Sequence, residues 1–555
     1  MHACQSFRKS RSLIAALTSV ALALAPLSGT AAGPAATTNP ASAATKPASA
    51  SDALPEYGTV PPPPPSVPLP QAYPQRLPDL GDASQANFSP AQERKLGETI
   101  VREMRATGAY MNDPEVNDYL QELGHRLTSV SPDVKQDFEF FAVPDDQINA
   151  FALPGGFIGV NTGLILLTQS ESELASVLAH EISHVTQHHM ARALSAQKDS
   201  MLISLAGLAL AILASRGGGA SSGDAAAGAI AASQALTIQH QINFTRENEY
   251  EADRLGFQRL DAAGFDVTAM ATFMQRLQTA MRFVEGSVPT YLRDHPVTYE
   301  RIAEAQARAQ GHPYRQVVDS LDFQLVRALL RSYQGEPSEA VKWFDDAIAE
   351  HKYNNAIAAQ YGLVASLLRT SDWTRAKKEL AKLDKMAPDH PMIIAIGGHV
   401  LLESGDVDGA IKRFGDGVAR YPNKLQLVYD YPESLLKAGR NADAARFVEQ
   451  QITRFPNDGP LQLLAARAYA AQNKQMLAHQ HQGEYYAWQG NLKGAIDQLE
   501  LAQKQKDGTF YEASVIDTRL RALRREVADQ SKSAFGKPGF SMTVESRPAN
   551  ALPLR

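Results

Sequence analysis

A recurrence of 34 residues in the second half of the sequence restricts the fold more than any other feature. The residues that keep this interval are Ala376, Ala410, Ala444 and Ala478, together with Pro388, Pro422 and Pro456. Gly405 and Gly439 each precede one of these alanines by five residues. A fixed period of this length is typical of stacked helix pairs, in which alanine permits close packing and proline ends the second helix. The sequence therefore predicts a solenoid of paired helices.

The period of 34 residues is that of tetratricopeptide repeats. Less regular units flank the four alanines, one near Gly335 and one near Gly490, as is common towards the ends of a solenoid. We predict a tetratricopeptide-like helical domain at 316–530 and a disordered tail at 531–555. Such a solenoid presents a concave face to a protein partner, and nothing in its sequence indicates catalysis of its own.

The amino-terminal residues have the pattern of an export signal. Basic residues precede an apolar stretch from Leu13 to Leu27, and small residues follow, which predicts a signal peptide at 1–32. The one cysteine of the sequence, Cys4, precedes the apolar stretch, whereas the acylated cysteine of a lipoprotein would follow it. We therefore expect export to the periplasm, not as a lipoprotein, and no disulfides in the mature chain.

Composition limits the function of the next segment and of the whole chain. Residues 33–85 are rich in alanine, proline, serine and threonine, which cannot bury a core and predict a disordered linker. The net charge of −6 and the pI of about 6.2, without a basic cluster after the signal, argue against nucleic acid as a partner.

A metal-binding pattern is present at His180-Glu-Ile-Ser-His184. Ser170 and Glu173 form a capping-box pattern, which predicts that a helix begins just before it. In a helix, His180 and His184 are one turn apart on one face, where two imidazoles can hold one metal ion. Glu181 lies beside them, within reach of a water on that ion. This is the H-E-x-x-H arrangement of zinc hydrolases.

A third ligand is expected from another element, because a catalytic zinc ion usually has three protein ligands and one open position. The metzincin pattern would place a histidine six residues after His184, where the sequence has Met190. The nearby His188 and His189 do not fit that pattern. We expect them to lie at the surface or behind the ligands.

Glu249 is the better candidate, because it lies on a predicted helical face that is otherwise small or apolar. That face consists of Glu249, Ala252, Asp253, Gly256, Phe257 and Leu260. Two carboxylates on such a face need a reason for burial, and a metal ion gives one. We predict that Glu249 binds the metal and that Asp253 accepts the spare N–H of a ligand histidine. Glu247 and Glu251 fit the alternative, a charged solvated face.

Short strands are predicted before this metal-binding helix, at 138–143, 149–151 and 157–160, with a turn at 154–156. A strand edge close to the metal can bind an extended peptide through main-chain hydrogen bonds, which ignore side-chain identity. The alternative is a hairpin that only closes the domain.

The stretch 201–215 is strongly apolar but has only 15 residues. A span of the bilayer needs about 18–20. We expect a buried helix or a flap over the site, with contact to a membrane surface or to an unfolded apolar client as the alternative.

Three motifs together resemble the M48 family of gluzincin metallopeptidases. They are His180-Glu-Ile-Ser-His184, Glu249-Tyr-Glu-Ala-Asp253 and Asn149-Ala-Phe-Ala-Leu-Pro-Gly-Gly-Phe-Ile-Gly-Val160. The resemblance extends from about Leu80 to the end of the repeats, since some M48 members carry such repeats. It implies a mainly α protein: an α+β gluzincin-type domain with a small β-hairpin or sheet at 86–315, followed by the α-helical solenoid.

The same resemblance draws attention to His295 and Arg301, in a His-Pro…Arg-Ile element like the one that follows the metal residues in M48 enzymes. It implies that both face the zinc site, where they can stabilise an oxyanion. A second hypothesis for His295 is that it caps the open position of the zinc ion at rest. The alternative is a helix-capping histidine and a surface arginine.

We interpret the sequence as an exported endopeptidase with one Zn²⁺ per chain, held by His180, His184 and Glu249. The resemblance implies misfolded or misassembled outer-membrane proteins as substrates, and repeats that dock clients or the outer-membrane assembly machinery. The alternative is a periplasmic chaperone or assembly adaptor with a mainly structural metal site. Glu181 favours the enzyme, because a structural site needs no general base and is normally closed by a fourth protein ligand.

Overall fold

The computed structural model of the protein describes residues 89–193, 245–281, 291–292, 295–313 and 315–535. The predicted signal peptide and linker, the apolar stretch at 201–215 and the tail after residue 535 lie outside these ranges.

The first half of the described chain combines helices with a small sheet. Its elements are α1 (Pro90–Thr107), α2 (Pro114–Ser129), β1 (Glu139–Val143), β2 (Ala150–Leu153), β3 (Phe157–Asn161), α3 (Thr162–Leu167), α4 (Glu171–Thr186), α5 (residues 245–262), α6 (Thr268–Met281) and α7 (Tyr299–Gln310). Ser89 caps α1 and Pro90 occupies its first position, where the missing N–H is not needed.

The three strands form one sheet in the order β1-β3-β2. β1 runs parallel to β3, whereas β2 and β3 form the predicted antiparallel hairpin. Gly155 and Gly156 make its turn with φ of 78° and 91°, a left-handed backbone that favours glycine. Every residue of β3 is buried, while most of β2 is only half-buried. β2 is therefore an edge strand, and it packs beside α4.

α4 is the central helix of this half, with nearly every residue buried. Ser170 Oγ accepts the N–H of Glu173, as the capping pattern predicts. The carboxylate of Glu173 does not close the box, however, because it accepts the N–H of Gln169 at 2.7 Å and pairs with Arg276 of α6 at 2.9 Å. The start of α4 is thereby tied to α6.

α5 packs closely against α4 through its small residues. Ala252 has no exposed surface, and a Cβ added at Gly256 would lie 3.1 Å from the backbone nitrogen of His180. Arg259 donates to the carbonyl of Ala179 at 3.1 Å and to the hydroxyl of Ser183 at 2.6 Å. These contacts fix the two helices that carry the metal-binding pattern and the Glu249 face.

The second half of the described chain is helical throughout. Its helices are α8 (Leu321–Tyr333), α9 (Pro337–Ala349), α10 (Ala356–Thr370), α11 (Trp373–Met386), α12 (Pro391–Glu403), α13 (Val407–Arg420), α14 (Leu425–Lys437), α15 (Asn441–Arg454), α16 (Gly459–Ala470), α17 (Gln475–Trp488), α18 (Leu492–Lys504) and α19 (Phe510–Phe535).

The repeat residues have the roles that their spacing predicts. Ala376, Ala410 and Ala444 have no exposed surface, and Gly405 and Gly439 end helices with φ of 90° and 72°. The predicted fold class, mainly α with a small sheet followed by a helical solenoid, is confirmed. α19 continues to Phe535, beyond the predicted boundary at 530. None of the described helices is both long enough and apolar enough for a membrane crossing.

The solenoid packs directly on the first half through an acidic face of α2. Asp113 and Glu115 accept the hydroxyls of two tyrosines of the repeats, Tyr333 and Tyr361, each at 2.9 Å. Apolar residues from α2, α4 and the first repeat helices form one continuous cluster. The two halves therefore share a core rather than touching only at a linker.

Candidate metal centre

Two imidazoles and a carboxylate from α4 and α5 converge on one point. The Nε2 atoms of His180 and His184 lie 3.0 Å apart, and the carboxylate oxygens of Glu249 lie 3.5 Å from each of them. His180 and Glu249 are buried, with 3% and 4% of their surfaces exposed. Nitrogen and carboxylate oxygen are donors that zinc accepts, so this set fits a metal ion.

The ionisation of these groups is coupled. Burial and the nearby His180 hold the pKa of His184 well below its ordinary value, so that this imidazole is neutral, as a metal ligand must be. Burial alone would raise the pKa of Glu249, but the surrounding histidines hold it well below its usual value. Glu249 is therefore ionised and carries a negative charge at neutral pH.

Glu181 lies at the same site and has an unusual environment. Its side chain is 1% exposed, and within the described part of the chain neither carboxylate oxygen has a hydrogen-bond partner. A buried carboxylate in this state needs a polar partner, which a water molecule in the centre would provide. Burial raises the pKa of Glu181, which favours a group that takes up a proton.

Asp253 and Arg301 lie behind the cluster. Asp253 Oδ1 is 3.0 Å from Nδ1 of His180, the nitrogen that faces away from His184. Arg301 donates to both oxygens of Asp253, at 2.7 and 2.8 Å, and its third nitrogen lies 2.7 Å from Glu249. Arg301 is 4% exposed and is thus not a surface arginine. Its guanidinium is occupied in fixing the two carboxylates.

His295 enters the cluster from the turn before α7. Its Nδ1 lies 3.0 Å from Glu249 Oε1 and 3.4 Å from Nε2 of His180, and its Nε2 lies 3.7 Å from Glu181. One donor atom from each of His180, His184, Glu249 and His295 lies within 4.8 Å of all the others. His295 can therefore act as a fourth metal donor.

His188 and His189 do not behave as one pair. His188 is half-buried with its Nδ1 3.9 Å from Glu93, whereas His189 is 5% exposed and contacts His184. Burial lowers the pKa of His189 to about 4. Glu251, which we expected on a solvated face, lies 3.2 Å from His189. Helical periodicity of α5 could not reveal this contact, because its partner comes from the turn after α4.

Comparison with known proteins gives two family matches. Residues 114–309 match peptidase family M48, and residues 401–468 match a tetratricopeptide repeat family.

Bacterial relatives of known description align over most of the chain, and a mitochondrial relative aligns over about a third of it. A Vibrio cholerae protein is 36% identical over 82% of this chain and 93% of its own length. The beta-barrel assembly-enhancing protease of Escherichia coli K12 is 33% identical over 81% of this chain and 91% of its own length. The mitochondrial metalloendopeptidase OMA1 of Schizosaccharomyces pombe is 28% identical over 34% of this chain and 51% of its own. Among solved structures, yeast Tom70 covers 83% of this chain and 79% of its own with 13% identity, at a TM-score of 0.26 that supports no argument.

Proposed function

We propose that this chain, which belongs to peptidase family M48 and is a zinc metallopeptidase with carboxyl-terminal tetratricopeptide repeats, degrades misfolded or misassembled outer-membrane proteins in the periplasm. The observation that carries the proposal is the convergence of His180, His184 and Glu249 beside the buried Glu181. The name of the E. coli relative supports the substrate class, and the predicted signal peptide supports the compartment. We assign the peptidase domain to 86–315 and the repeat domain to 316–530.

In this proposal His180, His184 and Glu249 hold one zinc ion, which would supply Lewis acidity and lower the pKa of a bound water to about 7. Glu181 accepts the proton of the attacking water and delivers it to the leaving amine. Its burial without a donor among the described residues leaves its oxygens available for both transfers. Asp253 fixes the tautomer of His180, and Arg301 holds the carboxylates of Glu249 and Asp253 in place and offsets one of their two negative charges.

The edge strand β2 supports a broad substrate range. Among the residues that the structure describes, it is paired on one side, with β3, and it packs beside α4, which carries His180 and Glu181. An extended client that adds to its other edge would be held by backbone hydrogen bonds alone. We propose that specificity then comes from the repeats, which recruit clients or the outer-membrane assembly machinery.

His295 raises the question of how such a protease is restrained. Its Nδ1 faces the ligand atoms and lies 3.0 Å from Glu249, the position expected of a cap on the fourth site of the metal. A closed set of four protein donors also favours the second candidate, a chaperone or assembly adaptor with a mainly structural metal. We propose that the cap is reversible, so that at any moment only the molecules in which His295 has moved away from the fourth site are active.

The test uses the purified chain with an unfolded outer-membrane protein as substrate, with and without a chelator. We expect cleavage that the chelator removes and that added zinc restores. Suppression of substrate aggregation without any cleavage would instead support the adaptor.

A further inference from the structure

The turn after α4 brings a further histidine, His189, against a proposed metal ligand. α4 ends at Thr186, and His188 has a left-handed backbone with φ of 53°. The helix is interrupted there, and residues 189–193 are again helical. As a result Nδ1 of the buried His189 lies 2.8 Å from Nδ1 of His184, the ring nitrogen that faces away from Glu249. A positive φ at a residue other than glycine is uncommon and marks a backbone that its surroundings determine.

The second nitrogen of His189 continues the contact away from the centre. Its Nε2 lies 3.2 Å from Oε2 of Glu251, and the same oxygen accepts Nη1 of Arg192 at 2.8 Å. Glu251 is two residues from Glu249 on α5, so α5 supplies both a proposed ligand and the end of this chain of contacts. Three side chains from two elements are thus arranged behind His184.

The positions of the protons follow from the contacts. A neutral histidine that gives Nε2 to a metal has its proton on Nδ1, so His184 must donate to His189. Nδ1 of His189 is then the acceptor, and its proton is on Nε2, where Glu251 accepts it. The opposite tautomer of His189 would direct two N–H groups at each other and a lone pair at a carboxylate.

We propose that His189 is a positioning residue that, through Glu251 and Arg192, fixes the tautomer and orientation of His184 as a metal ligand. This rests on the proposed function, because it requires His184 to bind the metal. It gives His184 a support equivalent to the one that Asp253 gives to His180. The two supporting groups differ in charge. The carboxylate of Asp253 contacts His180, whereas the neutral imidazole of His189 contacts His184.

The experiment compares two substitutions of similar size in the full-length protein. In His189→Asn the side-chain oxygen can replace Nδ1 as the acceptor, whereas His189→Leu has no acceptor. The readouts are the rate of zinc release to a chromogenic chelator and the visible absorption spectrum of the Co²⁺-substituted protein. We expect zinc release to be about 10–100 times faster for His189→Leu, with an altered Co²⁺ spectrum, and His189→Asn to remain close to the unmodified protein.

A second pair of variants is available at the far end of the contacts, in case His189→Leu does not fold. Glu251→Gln keeps an oxygen acceptor for Nε2 of His189, and Glu251→Ala removes it. We expect faster zinc release for Glu251→Ala than for Glu251→Gln. Equal release rates within both pairs, or rates equal to that of the unmodified protein, would overturn the proposal.

His184→Ala separates this failure from a failure of the proposed function. If His184→Ala abolishes zinc binding while His189→Leu and Glu251→Ala change nothing, the positioning role is wrong and the metal site stands. If His184→Ala keeps zinc, the ligand assignment is wrong, and the role proposed for His189 falls with it.

Discussion

Nδ1 of His180 lies 3.0 Å from Oδ1 of Asp253. Asp253 follows Glu249 by one helical turn of α5. One face of α5 therefore supplies both a proposed ligand and the group behind another ligand. Arg301 contacts the two carboxylates, so one buried cation offsets part of their combined negative charge. Because the proposed ligands and the residues that support them are different side chains, single substitutions can test each role by itself.

Glu181→Gln should retain the metal and lose proteolysis. The amide has nearly the same shape as the carboxylate but cannot accept the proton of water, and general-base catalysis contributes about 10²–10⁴-fold to the rate. Casein cleavage and metal content of the purified variant check this. Cleavage at a rate near that of the unmodified protein would contradict the mechanism.

Glu249→Ala should lower the zinc content of the purified protein, because it removes one of three proposed ligands. Glu247→Ala is the matched control, since Glu247 is exposed on the same helix and should leave the content unchanged. Metal analysis by mass spectrometry is the measurement. Equal content in both variants would move the third ligand elsewhere.

His295→Ala should increase basal proteolysis if His295 caps the metal at rest. Removing the imidazole opens the fourth position to water, so we expect faster cleavage of an unfolded substrate at unchanged zinc content. The result is measured as the initial rate without any activating partner. A large drop in turnover at full zinc content would instead support the oxyanion role.

Ser320→Ala should lower the free energy of unfolding of the whole chain by about 1–3 kcal/mol, because it removes a helix cap and one of the donors to the buried carboxylate of Glu171. Ser320 caps α8, and its hydroxyl donates to Glu171, the first residue of α4, at 2.6 Å. Urea unfolding provides the measurement. Ser514→Ala, at an exposed position of α19, should change the free energy of unfolding by less than about 0.5 kcal/mol.

Asp118→Asn should stabilise the protein at pH 8 but not at pH 4. Burial raises the pKa of Asp118 to about 7, from an ordinary value of 3.8. The folded state therefore binds more protons than the unfolded state between these values, and its stability falls as the pH rises from about 4 to about 7. The amide still accepts the N–H of Leu425, which lies 3.0 Å from Asp118.

We expect Asp118→Asn to gain on the order of 1–2 kcal/mol at pH 8, after allowance for partial exposure to solvent. Thermal unfolding from pH 4 to pH 8 measures the difference. Asp408→Asn, on an exposed part of α13, should show no gain that grows with pH. A gain for Asp118→Asn that is the same at every pH would contradict the explanation.

Local sequence patterns were sufficient for the parts of the site that lie within one helix. The spacing of His180 and His184 and the face shared by Glu249 and Asp253 follow from helical geometry alone. The contact between His189 and Glu251 does not, because it depends on the left-handed backbone of His188, which interrupts the helix and which no periodicity encodes.

The acidic face of α2 was missed for a related reason. Asp113, Glu115 and Asp118 have the pattern of a solvated helix start, and only packing of the repeats against α2 turns them into partners of Tyr333, Tyr361 and Leu425. Contacts between residues more than 200 positions apart leave no trace in a local pattern.

The contact between Glu171 and Ser320 joins the first turn of α4, which carries two of the proposed metal ligands, to the start of the first repeat helix. Glu171 is buried and Ser320 is half-buried, and the two halves share an apolar cluster, so the repeats are held against the helix that carries the proposed metal ligands. If the repeats hold a client, the distance between the bound segment of the client and the proposed metal centre is constant. The enzyme would then select the cleavage position by its distance from the bound segment. Cuts would then fall at a set number of residues from the anchored segment, and fragments too short to bridge that gap would escape.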